Sequence, residues 1–137
     1  MLRLYSKGCE HAIQALMTIS REECRRGFSA RLICRRAGLP EFFTRKVFQA
    51  LVKSRVLTAK RGPGGGYRFS KDPGKVSILS VVYAIDGRNA FDKCVVQDNK
   101  CDHKGRCSLH PMWMKTKASL IRQLGSRPVA GLIEEGA

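Results

Sequence analysis

Residues 56–70 read VLTAKRGPGGGYRFS, and this segment is the most informative one for the class of fold. Val56–Lys60 and Tyr67–Ser70 combine β-branched or aromatic residues with polar ones, which predicts two strands. The residues between them, Arg61–Gly66, begin with a cation and are rich in glycine. Two strands joined by a short, glycine-rich connection form a β-hairpin, so the stretch predicts a hairpin with a basic tip.

The glycine-rich tip does not read as a nucleotide-binding loop. It lacks the G-x-x-x-x-G-K-[ST] pattern, and a predicted strand rather than a helix follows it. Glycines instead suit a loop that lies along a DNA backbone, because they lack side-chain bulk and leave their N–H groups open to phosphates. The hairpin is therefore predicted to be the wing of a winged-helix protein.

Three helical patterns precede the hairpin. Leu4–Ser20 has apolar residues at helical spacing with Ser6 as a candidate cap, and Ser29–Arg36 and Pro40–Ser54 predict two further helices. A turn containing Gly38 separates the last two, which is typical of a helix-turn-helix. The residues of these two helices that are predicted to face the core are Leu32, Ile33, Phe43, Val47, Phe48 and Leu51.

Two more helices are predicted after the hairpin, Ser77–Asp86 and Pro111–Leu124. The second has a wide apolar face, which either pairs with a second copy of the chain or packs on its own domain. The predicted fold class is mainly α with a small β-hairpin. It comprises a winged helix-turn-helix DNA-binding domain (residues 1–88), a cysteine loop with a dimerisation helix (89–127) and a disordered tail (128–137).

The charge of the chain is strongly positive and unevenly distributed. Lys and Arg number 26 against 11 Asp and Glu, a formal net charge of +15. Residues 1–75 carry 17 of the basic and 5 of the acidic side chains. A basic half of this kind indicates a polyanionic partner, with double-stranded DNA first and an anionic membrane surface second. The first helix lacks the one-sided basic face with aromatic anchors that a membrane-surface helix needs.

Several other function classes find no support in the sequence. It has no paired-carboxylate site, nucleophile motif or nucleotide loop, so we expect neither an enzyme nor a small-molecule substrate. It has no apolar run approaching the roughly 20 residues of a membrane span and no apolar leader, so we expect a cytoplasmic protein. In that compartment the six cysteines are expected to be thiols or metal ligands rather than disulfides.

The segment of residues 94–110 is the candidate metal site. It places Cys94, Cys101, Cys107 and His110 among polar residues, whereas cysteine is usually buried and inert. The intervals between the four are six, five and two residues, and none is a C-x-x-C knuckle. This spacing favours an iron–sulfur cluster over the alternative of a structural zinc ion. A cluster-free thiol redox switch stays open as a third interpretation.

The DNA-binding residues are predicted from the helix-turn-helix and the wing. We expect Arg45 to read a guanine, Thr44 and Lys46 to contact bases or phosphates, and Phe42 either to touch a thymine methyl group or to belong to the core. The residues predicted to contact the DNA backbone are Ser29, Arg31, Lys60, Arg61, Gly64, Gly65, Gly66, Tyr67 and Arg68. We also expect a steep salt dependence of binding.

Over about residues 1–124 the chain resembles the Rrf2 family of bacterial winged-helix transcription regulators, in its IscR-type iron–sulfur branch. The resemblance is carried by residues 6–8 (SKG), residues 38–40 (GLP), the wing at residues 61–67 (RGPGGGY), and the three loop cysteines followed by His110. It implies a homodimer that binds palindromic operators, with the long C-terminal helix pairing the protomers.

The resemblance also bears on the cofactor. A [2Fe–2S] cluster is favoured and [4Fe–4S] is the alternative. Cys9 is an alternative fourth ligand, because in some relatives that ligand comes from the first helix of the other protomer. The expected function is a transcription regulator that senses iron–sulfur status, redox or nitric oxide. The cluster would set how the loop rests against the DNA-binding domain, and so the affinity for the operator.

Overall fold

A computed structural model describes residues 4–62, 65–94 and 107–133. Within these residues the chain is mainly helical with one small hairpin, as predicted. The helices are α1 (Lys7–Met17), α2 (Arg21–Arg26), α3 (Ala30–Ala37), α4 (Glu41–Lys53), α5 (Ile78–Asp86) and α6 (His110–Ser126). Strands β1 (Leu57–Lys60) and β2 (Gly66–Phe69) pair antiparallel, with Leu57 opposite Phe69 and Lys60 opposite Gly66. None of the described helices is both long enough and apolar enough to span a bilayer.

The helix boundaries follow the capping residues of the sequence. The hydroxyl oxygens of Ser6, Ser29 and Ser77 accept backbone N–H groups in the first turns of α1, α3 and α5. These bonds satisfy donors that have no partner inside a helix. Gly38, at φ +69°, ends α3 in the left-handed conformation and opens the turn to α4. The predicted helix-turn-helix is therefore formed by α3 and α4.

The main core joins α1, α3 and α4 to the hairpin. Phe28 and Phe48 form an aromatic cluster with Tyr67 and Phe69 of β2, with ring centroids 5.1–6.3 Å apart. Leu16, Ile33 and the other large apolar residues of the helices pack around this cluster. Buried aromatic rings contribute much of the stability of a small core, so the hairpin is fixed against the helix-turn-helix.

Helix α2 is absent from the sequence-based prediction. Ser20 and Glu23 form a capping box at its start, and each side chain bonds the backbone N–H of the other residue. The Arg36 guanidinium donates to both carboxylate oxygens of Glu23, at 2.7 and 3.0 Å, and to the Thr18 carbonyl oxygen at 2.7 Å. These bonds connect α2 and α3 to the end of α1.

The inward faces of α3 and α4 differ from the prediction by one residue at each helix. Leu32 is half exposed, and Ala30 and Cys34 are buried beside Ile33 instead. Phe43 is 39% exposed, and the buried face of α4 begins at Thr44. The residues buried in α4 are Thr44, Val47, Phe48 and Leu51. They follow the i, i+3, i+4, i+7 spacing of one helix face, and Phe43 lies at the edge of that face, where its ring packs edge-on against His11.

Helix α6 and the residues after it complete the structure. The C-terminal half of α6 packs Leu120, Ile121 and Leu124 against a small second core of α1 and α5 residues. The expectation of a disordered tail from residue 128 is wrong for residues 129–133. Val129 is fully buried, and its N–H donates to the Val76 carbonyl oxygen at 2.7 Å.

Candidate nucleic-acid interface and cysteine segment

A groove of about 290 Å³ lies between the hairpin and the turn that precedes α3. At the floor of the groove, Phe28 and Tyr67 exchange two backbone hydrogen bonds of 2.8 Å. Phe28, which precedes the helix-turn-helix, thus pairs with β2 like a third strand. The groove is lined by Arg26, Gly27, Phe28, Ser29, Thr58, Lys60, Gly65, Gly66, Tyr67 and Arg68. Wing and helix-turn-helix therefore share one basic surface.

The glycines of the wing are required by the close approach of two backbones. Gly66 has φ +148°, and a Cβ atom at this position would lie 2.6 Å from the Phe28 carbonyl oxygen. A Cβ atom at Gly65 would overlap the Lys60 carbonyl oxygen and lie 2.7 Å from that of Gly62. A side chain at either position would disrupt the pairing that shapes the groove.

The structure brings together most of the residues predicted to contact the DNA backbone. Ser29, Lys60, Gly65, Gly66 and Arg68 all line the groove, and the Arg68 guanidinium donates to the Arg26 carbonyl oxygen at 3.1 Å. Exposed cations along one concave surface are suited to phosphate.

Other predicted backbone contacts lie elsewhere. Arg31 and Arg61 are exposed outside the lining of this groove, and Gly64 lies outside the described residues. Tyr67 lines the groove, but its ring packs in the aromatic cluster and only 8% of the residue is exposed.

Helix α4 presents a separate exposed surface in its first two turns. Phe42, Arg45 and Lys46 are exposed there, and Phe42 is 76% exposed. Arg45 Nη2 lies 3.7 Å from Glu41 Oε1, and Lys46 Nζ lies 4.7 Å from the centre of the Phe42 ring. Thr44 was predicted to belong to this surface, which is wrong because its side chain is fully buried on the opposite face.

A second groove, of about 250 Å³, lies at the start of α6. It is lined by Asp92, Lys93, Cys94, His110, Trp113, Met114 and Lys117. The Trp113 indole Nε1–H donates to the Lys93 carbonyl oxygen at 2.9 Å, which holds the chain next to Cys94 against α6. The His110 backbone N–H donates to the Cys107 carbonyl oxygen at 3.1 Å. Two of the predicted metal ligands thus line one groove, and a third adjoins the start of the same helix.

The side chains at this groove fit an iron–sulfur cluster or a zinc ion in their donor chemistry. Thiolate and imidazole bind both kinds of centre, and Lys93 and Lys117 offset the negative charge of thiolates. Cys101 lies outside the described residues. Among residues 4–62, 65–94 and 107–133, no three His, Cys, Asp or Glu side chains are grouped to hold a metal ion.

Cys9, Cys24 and Cys34, which precede the hairpin in the chain, have a different environment. Cys9 is fully buried, and burial, followed by the charge of Asp86, raises the pKa of its thiol to about 12. Its side chain packs in the second core with Val82 and Phe91. Cys34 is buried in the main core, and burial also raises the pKa of the Cys24 thiol.

Sequence reasoning missed some residues of both grooves. Arg26, Phe28 and Thr58 line the first groove but were not among the predicted contacts. In residues 27–29 an aromatic residue stands between a glycine and a helix cap, and this local pattern is a signal that Phe28 lies at the groove. Trp113 lies within the predicted last helix, and no sequence pattern indicates its bond to Lys93.

Comparisons with known proteins agree with this architecture. A family model described as an iron-dependent transcriptional regulator, Rrf2, matches residues 5–135. The HTH-type transcriptional regulator IscR of Vibrio vulnificus is 30% identical over 134 residues, which are 98% of this chain and 79% of that protein.

Two solved structures share the fold. CymR, the global cysteine regulator of B. subtilis, is similar with a TM-score of 0.74 at 16% identity over 96% of each chain. IscR of T. potens is similar with a TM-score of 0.70 at 23% identity, over 94% of this chain and 84% of that one. The chain belongs to the Rrf2 family and is a DNA-binding transcriptional regulator rather than an enzyme.

Proposed function

We propose that this regulator binds a palindromic operator as a homodimer and that an iron–sulfur cluster, held by Cys94, Cys101, Cys107 and His110, sets its affinity for DNA. The observation that carries the proposal is the second groove, where Cys94 and His110 line one surface beside Cys107. The named relatives in the family are transcriptional regulators called IscR. A [2Fe–2S] cluster is the favoured form.

The DNA-binding half of the proposal rests on the two basic surfaces. The exposed face of α4 enters the major groove, where Arg45 and Lys46 reach base edges. The groove at the wing receives the sugar-phosphate backbone, with Lys60 and Arg68 on either side of the glycines. One rigid core connects both surfaces, so their relative position on the duplex is fixed within a protomer.

The homodimer is supported by the apolar surface of α6. None of its 17 residues is fully buried within the single chain. Met112 and Met114 are 47% and 43% exposed, and Leu109, directly before the helix, is 45% exposed. A helix this long with apolar residues exposed at its start is suited to pack against the same helix of a second copy.

The cluster would be held through the side chains of this chain in the second groove. The Cys94 and Cys107 thiolates and the His110 imidazole are its ligands together with Cys101. When bound, the cluster supplies a redox-active or dissociable centre whose presence depends on iron and oxidants. His110 is a neutral ligand where a fourth cysteine would be anionic, and a neutral ligand raises the reduction potential of such a centre.

A change in the cluster reaches the DNA-binding surfaces as a movement of α6 that is transmitted through α5 and α1. The C-terminal half of α6 packs on Cys9 and Val82, and the Ser6 N–H donates to Asp86 Oδ2 at 2.9 Å, which connects α1 to the end of α5. A Cβ atom at Gly8 would lie 3.5 Å from Val47 Cγ2 and 3.6 Å from Ile85 Cγ2, so the start of α1 contacts both α4 and α5. A shift of α6 therefore changes the position of α4, the recognition helix.

The test is anaerobic purification of the full chain with a visible spectrum and assays of iron and sulfide. Wild-type protein is expected to be brown with matched iron and sulfide, and Cys101→Ala is expected to lose both. Cys34→Ala is the matched control, because Cys34 is buried in the core away from the groove, and it is expected to keep the cluster. Colourless wild-type protein, or equal iron in wild type and Cys101→Ala, would contradict the cluster.

A second candidate function keeps the same scaffold with zinc or with a cluster-free thiol switch. It is favoured by the structural likeness to CymR, a regulator named for cysteine, one solved form of which is described as oxidised. Oxidation of loop thiols to a disulfide would then change the position of α6. Stoichiometric zinc, or thiol counts that fall on mild oxidation of colourless protein, would establish this alternative.

A further inference from the structure

Phe42 is the most exposed of the large hydrophobic residues that the structure describes, with 76% of its surface open to solvent. It lies in the first turn of α4, two residues before Thr44, where the buried face of this helix begins. The ring of Phe42 is therefore open to contact by a ligand.

The neighbours of Phe42 on the same surface are cationic. Arg45 and Lys46 follow at i+3 and i+4, which is the spacing of one helix face. The Lys46 ammonium lies 4.7 Å from the centre of the Phe42 ring, within the range of a cation–π contact. Because the ring stays exposed with Lys46 beside it, a ligand can reach the ring and both cations together.

The chemistry of this surface points to a base edge with an apolar group. In the major groove, thymine presents a 5-methyl group, whereas the other base edges offer donors and acceptors. A phenyl ring can neither donate nor accept a conventional hydrogen bond, so only the methyl group complements it. The Arg45 guanidinium, three residues further along, suits a guanine in the same half-site.

We propose that Phe42 determines operator specificity by packing on the 5-methyl group of one thymine in each half-site. The inference rests on the proposed function, since it takes α4 as the helix in the major groove. It predicts a thymine at a position within reach of the base that Arg45 reads.

The test begins with selection of operators from a randomised duplex pool by the full-length protein. Each thymine of the selected operator is then replaced by uracil in both half-sites, which removes only the methyl group. At one of these positions the substitution is expected to lower the affinity of wild-type protein about three- to fivefold per half-site. This ratio corresponds to the free energy of burying one methyl group. Phe42→Ala is expected to bind the thymine and uracil operators equally.

Two variants control for general effects. Phe43→Ala removes the neighbouring aromatic ring, which packs edge-on against His11 at 5.1 Å, and is expected to keep the thymine preference. Arg45→Ala is expected to lower affinity without changing the thymine-to-uracil ratio. Circular dichroism melts establish that each variant is folded.

The outcomes separate this inference from the proposed function. Selective, salt-sensitive binding with no uracil effect at any position would overturn the role of Phe42 alone. That role would also be overturned if Phe42→Ala kept the thymine preference of the wild type. Failure of wild-type protein to select any duplex would overturn both the inference and the proposed function.

Discussion

The DNA-facing region, residues 4–94, and the segment from Cys107 to Ser126 are stabilised in different ways. In the first region capped helices surround one core, and almost all the large buried residues lie there. In the second, no residue of α6 is fully buried, and the start of the helix is attached to the first region through the bond from Trp113 to Lys93. The difference indicates a rigid DNA-binding region joined to α6, a helix whose position can depend on a ligand or a second protomer.

The largest expected effect concerns the charge of the first region. If a dimer neutralises about eight phosphates, its affinity for DNA falls by roughly three orders of magnitude or more between about 50 and 200 mM salt. Lys60→Ala in the wing groove removes one phosphate contact from each protomer of the dimer and is expected to reduce the salt slope by about two units. Lys115→Ala, an equal loss of charge on α6, is expected to leave the slope unchanged. Fluorescence anisotropy titrations at several salt concentrations measure both, and equal slopes for the two variants would contradict the assignment of the interface.

The next effect concerns the rigidity of the first region. Gly66→Ala is expected to lower the free energy of unfolding by about 2–3 kcal/mol, because its Cβ atom meets the Phe28 carbonyl oxygen and φ lies outside the range that alanine tolerates. Gly131→Ala, where a Cβ atom meets nothing within 4 Å, is expected to change it by less than about 0.5 kcal/mol. Urea unfolding compares the two, and equal stabilities would show that the wing does not need this backbone contact.

Much of the first region is predicted by local signals in the sequence. The caps at Ser29 and Ser77 and the turn at Gly38 are local signals, because the bonds that they predict lie within four residues. Helix α2 was missed because residues 21–26 (REECRR) contain no apolar stripe, although Ser20 and Glu23 carry the capping-box signal.

What could not be predicted depends on contacts between distant residues. Phe43 and Thr44 both fit a helical pattern, but Thr44 is fully buried, whereas Phe43 keeps 39% of its surface exposed beside His11 of α1. Val129 is buried because it pairs with Val76, which no local pattern indicates. The intervals between the loop cysteines and His110 predicted a metal site, and the structure adds that Cys94 and His110 line one groove.

A smaller effect is expected for the ion pair that attaches α2 to α3. Hydrogen bonds from Arg36 lower the pKa of Glu23 from 4.5 to about 2. Because the pKa is lower in the folded state, the stabilisation is complete above pH 4.5 and is lost as the pH falls towards 2. Glu23→Gln is expected to reduce stability at neutral pH by about 1–2 kcal/mol and to flatten this acid dependence.

The control for the ion pair is Glu22→Gln, which removes an exposed carboxylate 3.3 Å from Arg26. It is expected to change stability at neutral pH by less than about 0.5 kcal/mol. Thermal melts between about pH 2 and 7 measure both variants. An acid dependence that is the same in Glu23→Gln and wild type would contradict the role of Glu23.

The smallest effect concerns the attachment of the second region. Trp113→Phe keeps an aromatic ring but removes the donor to the Lys93 carbonyl oxygen, a loss of about 1 kcal/mol. We expect a chelator to remove iron from this variant about fivefold faster, and the melting temperature to fall by about 3–5 °C. Met112→Leu, on the exposed face of the same helix, is the control. Equal rates of iron loss in the two variants would show that the indole bond does not position Cys94.

The measurement that most directly tests the coupling of the two regions is a titration of one selected operator with cluster-loaded and cluster-free protein, under anaerobic conditions at fixed salt. A coupling of about 1–3 kcal/mol predicts that the two affinities differ by roughly 5- to 150-fold. Cys107→Ser protein is predicted to bind like the cluster-free form whether or not iron and sulfide are supplied. Equal affinities for the loaded and cluster-free wild type would contradict a regulator controlled through the cysteine segment.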